Sequence, residues 1–413
     1  MAELLIGCVA DDFTGASDIA SFFVKAGLET LLINEVPAAG YTVPEGTDCI
    51  VIALKTRTME TEQAVRESMS AFQWLKQMGA KKLYFKYCST FDSTRTGNIG
   101  PVTDAVMEAF GIPYTVLCPS LPVNGRTVKE GHLYVNGLPL HESHMKDHPL
   151  TPMRDSYLPA LMKEQGKYPC YILKADQFDD LLAGMETPCY LVPDYYEEEH
   201  GSRIAEVFGD CYFYTGGSGL GSHLAAILID KKGVIRHKPA MHTSGRAIIL
   251  AGSCSAITLR QIDDYCGRGC SSYRIDPNAL IAGSITAEDI FAWAVKQETV
   301  PLIYSSADAA ELTAADQTDR AETAKAIEYL LSSLAVMAAA AGWRRIIVAG
   351  GETSGAVTKA LGFSSFYISE SIAPGVPVMI PAEEPELRLV LKSGNFGQID
   401  FFDRAVVMTE EGL

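Results

Sequence analysis

The hydrophobic positions of this 413-residue chain fall into short unbroken runs that alternate with stretches of helical periodicity. Residues 4–10 are almost wholly apolar, residues 16–26 repeat apolar side chains at helical spacing, and "DCIVIAL", a helical pattern over residues 62–78 and "KLYFKY" continue the alternation. Short apolar runs of this kind suit strands buried on both faces, and strands that alternate with helices build a parallel sheet. Residues 114–118, 171–173 and 190–192 extend the series, with helices between. "DKKGVIRHKPAMHTSGR", residues 230–246, then carries charge without periodicity, as a linker does. A second alternation begins at "AIILAGSCS". It predicts helices at 255–265 and 287–296, a strand at 302–305, a long helix over 318–341 and the strand of "RRIIVAGGETSG", and from residue 364 several short strands with Pro and Gly turns. The predicted fold is α/β, two α/β domains in series over residues 1–232 and 233–413, the first built on a parallel sheet, with an inter-domain cleft. No internal repeat of fixed period is visible.

Composition narrows the function. A net charge of -17 argues against a nucleic-acid surface or an anionic membrane, both of which reward concentrated positive charge. A small anion can still meet a local cluster of Lys and Arg. No stretch approaches the roughly 18 to 20 unbroken apolar residues of a membrane span, and "MAELLIGCVADD" lacks a basic start, so the cytoplasm is the expected compartment. The ten cysteines include no CxxC pair and read as reduced thiols. Self-association into a homo-oligomer stays open.

Ligands of open α/β sheets sit outside the carboxyl ends of the strands, where every unusual motif of this chain lies. "ADDFTG" ends the first strand in Asp11 and Asp12, "ALKTRT" ends another with Lys55 and Arg57, and "FKYCSTFDSTRTGNIGPV" supplies Lys86, Ser89, Thr90 and Asn98. Such a density of cations, hydroxyls and an amide suits a small polyhydroxylated acid. In the second half, Gly350 and Gly351 of "AGGETSG" let the backbone approach an anion at a helix start, and "KSGNFG" places Gly394 and Gly397 beside a cation. These loops read as a phosphate cradle, although no GxxxxGK[ST] occurs. "HESHMKDHPLTPM" offers His141, His144 and His148, but Pro149 and Pro152 favour a loop over a metal site. "TGGSGLG" is read as a helix start lining the substrate cleft, and "DYYEEEH" as a solvated helix start.

Taken together, "ADDFTGASDIA", "LKTRT", "FKYCSTFDSTRTGNIGPV", "CPSLPVNGRTV", "HPLTPM", "TGGSGLG", "AGSCSAITLRQ", "AGGETSGAV", "APGVP" and "KSGNFG" resemble the four-carbon acid sugar kinases, most closely the 3-oxo-tetronate kinases. The resemblance runs from residue 10 to about 402 in the family's order. It implies an N-terminal acid-sugar-binding domain, a C-terminal ATP-binding domain, and phosphoryl transfer from ATP with Mg2+ to a C4 hydroxyl. Carried onto this chain, it places ATP near Ser253, Ser255, Gly350, Gly351, Glu352, Thr353, Gly394 and Gly397. It places the acid near Asp11, Asp12, Lys55, Arg57, Lys86, Ser89 and Thr90, with Asn124 and Arg126 on a further rim loop. Asp12 or Asp11 would orient the hydroxyl and accept its proton. A kinase for D-threonate, L-threonate or erythronate is the near alternative; a non-catalytic acid-sugar sensor is the distant one.

Overall fold

The computed structural model describes residues 3–148, 151–178, 185–232, 240–305 and 317–410. The chain divides into two compact units, Met1–Lys238 and Pro239–Leu413. The boundary expected after residue 232 falls beside residues 233–239, which lie outside the described ones.

In the first unit the chain runs β1 (Ile6–Ala10), α1 (Phe13–Lys25), β2 (Thr30–Asn34), β3 (Cys49–Ala53), α2 (Thr61–Gln77), β4 (Lys82–Lys86), α3 (Ile99–Phe110) and β5 (Tyr114–Cys118). The small strands β6 (Arg126–Lys129), β7 (His132–Val135) and β8 (Leu138–Pro139) follow. Then come α4 (Leu158–Gln165), β9 (Cys170–Leu173), β10 (Cys189–Pro193), α5 (Glu198–Val207), β11 (Phe213–Gly216) and α6 (Gly219–Lys232). The main sheet has the order β2-β3-β1-β4-β11-β5-β10-β9, and every pairing in it is parallel. Ile6 is paired with Cys49 on one side and Lys82 on the other. All carboxyl ends therefore lie on one edge.

Helix α1 starts at Phe13, three residues before the expected position, because Asp12 caps it. Ala16, Ile19, Ala20, Phe23 and Val24 form its buried stripe at helical spacing. The sequence reading missed β6, β7 and β8, a separate antiparallel sheet. The three histidines of the proline-rich run sit at short 3-10 turns, where His148 Nδ1 accepts from Thr151 N at 3.1 Å.

The second unit contains β12 (Ala247–Ala251), α7 (Ala256–Gly267), β13 (Ser272–Arg274), α8 (Pro277–Ile281), α9 (Ala287–Val295), β14 (Leu302–Tyr304) and α10 (Gln317–Ala340). It continues with β15 (Arg345–Ala349), α11 (Gly351–Leu361), β16 (Ser365–Ala373), β17 (Val376–Pro381), β18 (Arg388–Lys392) and α12 (Phe401–Thr409). Its strand order is β13-β14-β12-β15-β18-β17-β16; the first five are parallel, and β17 is antiparallel to both neighbours. The stretch Glu322–Ala340 is long and apolar enough, by length and composition, to cross a membrane. Its residues Leu330, Leu331, Leu334, Ala335 and Ala338 are buried within the protein.

The two units share a device that no sequence period reveals. In each, the first strand is flanked by the third strand on one side and the fourth on the other, so the chain switches direction across the sheet at β1 and again at β12. Neighbouring loops part at such a switch point and open a crevice. The motifs "ADD" and "AGSCS" leave the sheets there.

Candidate active site

Strand β1 is buried throughout and delivers Asp11, itself only 4% exposed, to the sheet edge. Asp12 leaves the strand in extended conformation, and its Oδ1 accepts from Gly15 N at 2.6 Å. Glycine at position 15 leaves this cap undisturbed, because a Cβ there would stand 2.6 Å from Asp12 Oδ1 and 3.2 Å from Lys86 Nζ and would push those side-chain ends aside. Arg57 arrives from the loop after β3. Its Nε and Nη2 donate to Asp11 Oδ2 and Oδ1 at 2.9 and 2.8 Å, while Nη1 lies 2.8 Å from Asp12 Oδ2. One guanidinium thus bridges both carboxylates, a geometry that its planar fork permits. The loop that carries it is anchored in turn: Thr56 N donates to Asp11 O at 3.0 Å, and Asn98 Nδ2 donates to Thr56 O and Met59 O at 2.7 and 2.8 Å. Asn98, expected from sequence among the polar groups that suit the acid, commits its Nδ2 to this backbone, while its Oδ1 is buried without a hydrogen-bond partner.

Burial pushes the Asp11 carboxyl up, and the Arg57 charge pulls the other way. Burial also works against the Arg57 charge, but Asp11 and Asp12 outweigh it and hold its pKa above the ordinary arginine value. The Asp12 side chain is 32% exposed against 6% for Asp11, so Asp12 is the carboxylate that meets solvent. Lys86 ends β4 at 3% exposure and donates to Tyr87 O at 2.9 Å. Asp18, which the sequence reading passed over, accepts from Ser218 Oγ at 2.5 Å, and its Oδ1 is buried without a hydrogen-bond partner. Burial raises this carboxyl too, with Lys86 opposing. The Asp18–Ser218 bond ties α1 to the "TGGSG" loop, and α6 begins directly after it.

The other expected residues lie around this centre. Lys55 is exposed and makes no hydrogen bond among the described residues. Ser89 is half-buried, and Thr90 Oγ1 donates to Asp92 Oδ1 at 2.6 Å. Asn124 closes a 3-10 turn after β5; its carbonyl accepts from Arg126 Nη1, whereas Arg126 Nε is buried and unpartnered. Glu197, Glu199 and His200 bring ligand atoms within 4.8 Å of one another at the exposed start of α5, the run read as a solvated helix start.

In the second unit three loops converge. Ser255 caps α7, its Oγ accepting from Thr258 N at 3.2 Å and donating to Gly394 O at 2.6 Å. Gly350 has φ +131°, and its N donates to Lys392 O at 2.8 Å. A Cβ on Gly350 would approach Thr353 Oγ1 to 2.9 Å, and one on Gly394 would approach Ser253 Oγ to 2.6 Å. Gly397 has φ +80°, and Gln261 Nε2 holds the turn through Phe396 O and Gln398 O at 3.1 and 2.8 Å. Thr353 is buried, while Gly351 and Glu352 are exposed. Helix α11 has no side-chain cap, and a Cβ at Gly351 would meet nothing within 4 Å. Uncapped N–H groups that face open space at a helix start fit a phosphate.

Comparison with known proteins agrees with this division. Residues 6–224 match the sugar-binding N-terminal domain family and residues 248–402 the nucleotide-binding C-terminal domain family. The chain is 44% identical to a 3-oxo-tetronate kinase of Salmonella typhimurium, over 97% of this chain and 98% of the relative. It is 42% identical to the 3-oxo-tetronate kinase of Escherichia coli over 89% of this chain and 98% of that one. A solved structure from Haemophilus influenzae superposes with a TM-score of 0.84 at 40% identity, covering 97% of this chain and 99% of the other. With both domains matched and kinases aligned along almost its whole length, the chain belongs to the four-carbon acid sugar kinase family, beside the 3-oxo-tetronate kinases.

Proposed function

We propose that this kinase transfers the terminal phosphoryl group of ATP to the C4 hydroxyl of a 3-oxo-tetronate. The observation that carries the reading is the pair of prepared strand ends, a bridged Asp11–Arg57–Asp12 cluster in the sugar-binding domain and an uncapped glycine cradle in the nucleotide-binding domain. Asp12 orients the hydroxyl and takes its proton, because it is the more exposed carboxylate of the pair. Asp11 and Arg57 fix that carboxylate in place. Lys86, with Lys55 and Arg126 at the rim, supplies positive charge for the acid's carboxylate, and Ser89, Thr90 and Asn124 face its hydroxyls. The backbone N–H groups of residues 351–353 and the Gly394–Gly397 turn hold the phosphates, with Ser253 and Ser255 beside them. Magnesium, when bound with the triphosphate, would neutralise phosphate charge.

The test is coupled ADP release with Mg-ATP against the 3-oxo-tetronates, both threonates, both erythronates and a no-acid control. Fast release with the 3-oxo acids alone is the expected result. A faster reduced tetronate moves the specificity, and silence across the panel removes the reading. Asp12→Asn is expected to cost roughly 100-fold in kcat with little change in ATP affinity. Wild-type turnover in that folded variant would take the proton-accepting function away from Asp12.

A further inference from the structure

Lys392 is the last residue of β18 and is 0% exposed. An ammonium taken out of water is costly unless it is paired, yet no ion pair with a carboxylate accompanies this one among the described residues. Its Nζ donates instead to Thr258 Oγ1 at 2.9 Å, Ser393 O at 3.1 Å and Gly394 O at 3.1 Å, with the Phe401 ring 5.8 Å away. Thr258 Oγ1 and Ser255 Oγ donate to the same Gly394 carbonyl at 2.9 and 2.6 Å. A planar trans peptide points its C=O and N–H in opposite directions. With the Ser393 and Gly394 carbonyls drawn in towards the lysine, the N–H groups of Gly394 and Asn395 point away from it, and neither donates to a described residue. Successive outward N–H groups form an anion-binding concavity, here backed by an uncompensated positive charge.

We infer that Lys392 is a positioning residue for the nucleotide, turning the 393–395 peptides so that their N–H groups receive a phosphate and placing its charge beneath them. This rests on the ATP-site reading and deepens it. Burial pushes the Lys392 ammonium down to about 8, so the charge is present below that pH and is lost as pH rises through it. The groups set against it are the Thr258 hydroxyl from α7, the Ser393 and Gly394 carbonyls of its own loop and the Phe401 ring of α12, none of which titrates near that pH; Cys254 and Glu352 are the ionisable residues of the adjoining loops.

The test is equilibrium binding of ATP, without acid sugar, between pH 6.5 and 9.5 for the wild type, Lys392→Met and Lys392→Arg, with thermal melting as the check on folding. The expected result is wild-type affinity that weakens as pH passes about 8. Lys392→Met is expected to bind roughly 10- to 100-fold more weakly at neutral pH, without that inflection. Lys392→Arg should recover part of the affinity and stay flat across the range, and kcat at saturating ATP should change much less than KM. A pH-independent wild type, or a folded Lys392→Met that binds as the wild type does, overturns the inference while leaving the ATP site standing. No ATP binding by the wild type at any pH overturns the ATP-site reading itself.

Discussion

Replacement of Arg57 by methionine is expected to lower kcat/KM roughly 100- to 1000-fold, because it strips the cation from a buried carboxylate and releases a second one from its position. Asp11 is only 4% exposed and both its oxygens receive Arg57, whereas Lys86, the other cation acting on it, does so more weakly. Breaking a buried pair by removing one partner costs about 3 to 5 kcal/mol, and stability should fall by the lower part of that range because Arg57 itself is partly exposed. The pH dependence has a definite sign. Burial already raises the Asp11 carboxyl, and without Arg57 nothing as close opposes it. The carboxyl then favours its protonated form in the folded state, so the variant is relatively best preserved in acid and loses stability as pH rises from the ordinary carboxylate range. Melting temperatures of wild type and variant across pH 5 to 8.5, beside kcat/KM for the acid, check both effects. Arg57→Lys keeps the charge without the fork and should fall between the two. Full activity in a folded Arg57→Met would show that the bridge is not needed for turnover.

Gly351→Val should weaken ATP binding roughly 100-fold while moving stability by no more than about 0.5 kcal/mol. The separation follows from the space around the residue. A Cβ at 351 meets no protein atom within 4 Å, and the residue is exposed at the first position of α11, so the branched side chain costs the fold little. On the proposed reading, what it obstructs is the approach of a phosphate to the N–H groups at this helix start. Gly350→Val is the contrasting variant: with φ +131° and a Cβ contact of 2.9 Å to Thr353 Oγ1, it should destabilise the protein as well. Calorimetric ATP titration with a thermal melt distinguishes them. Unchanged affinity in Gly351→Val would mean that the cradle is only a turn.

Strands such as β1 and β12 were legible in the sequence because every residue in them is buried, which leaves an unbroken apolar run ending in polar residues. The candidate residues were legible for the same reason, since each follows such a run. Their connections were not. Arg57 lies 46 residues from Asp11, and Ser218 lies 200 from Asp18, so only strand order brings them together. The hairpin of β6 and β7 escaped notice because its strands are short and only half-buried, without the continuous apolar signature of the main sheet. Lys392 was visible as a cation beside a glycine turn, but its complete burial depends on α7 and α12, which the motif does not contain.

The repeated reversal of strand order at β1 and at β12 bears on how such an enzyme can be altered. On the proposed reading, the acceptor is met by loops after β1, β3 and β4 of the first unit and the donor by loops after β12, β15 and β18 of the second. Exchanging the loops after β1, β3 and β4 is therefore expected to retune which acid is accepted while ATP affinity, read by calorimetric titration, stays where it was. A graft of those loops from a kinase for a reduced tetronate, onto this framework, is the natural engineering route to a new acceptor.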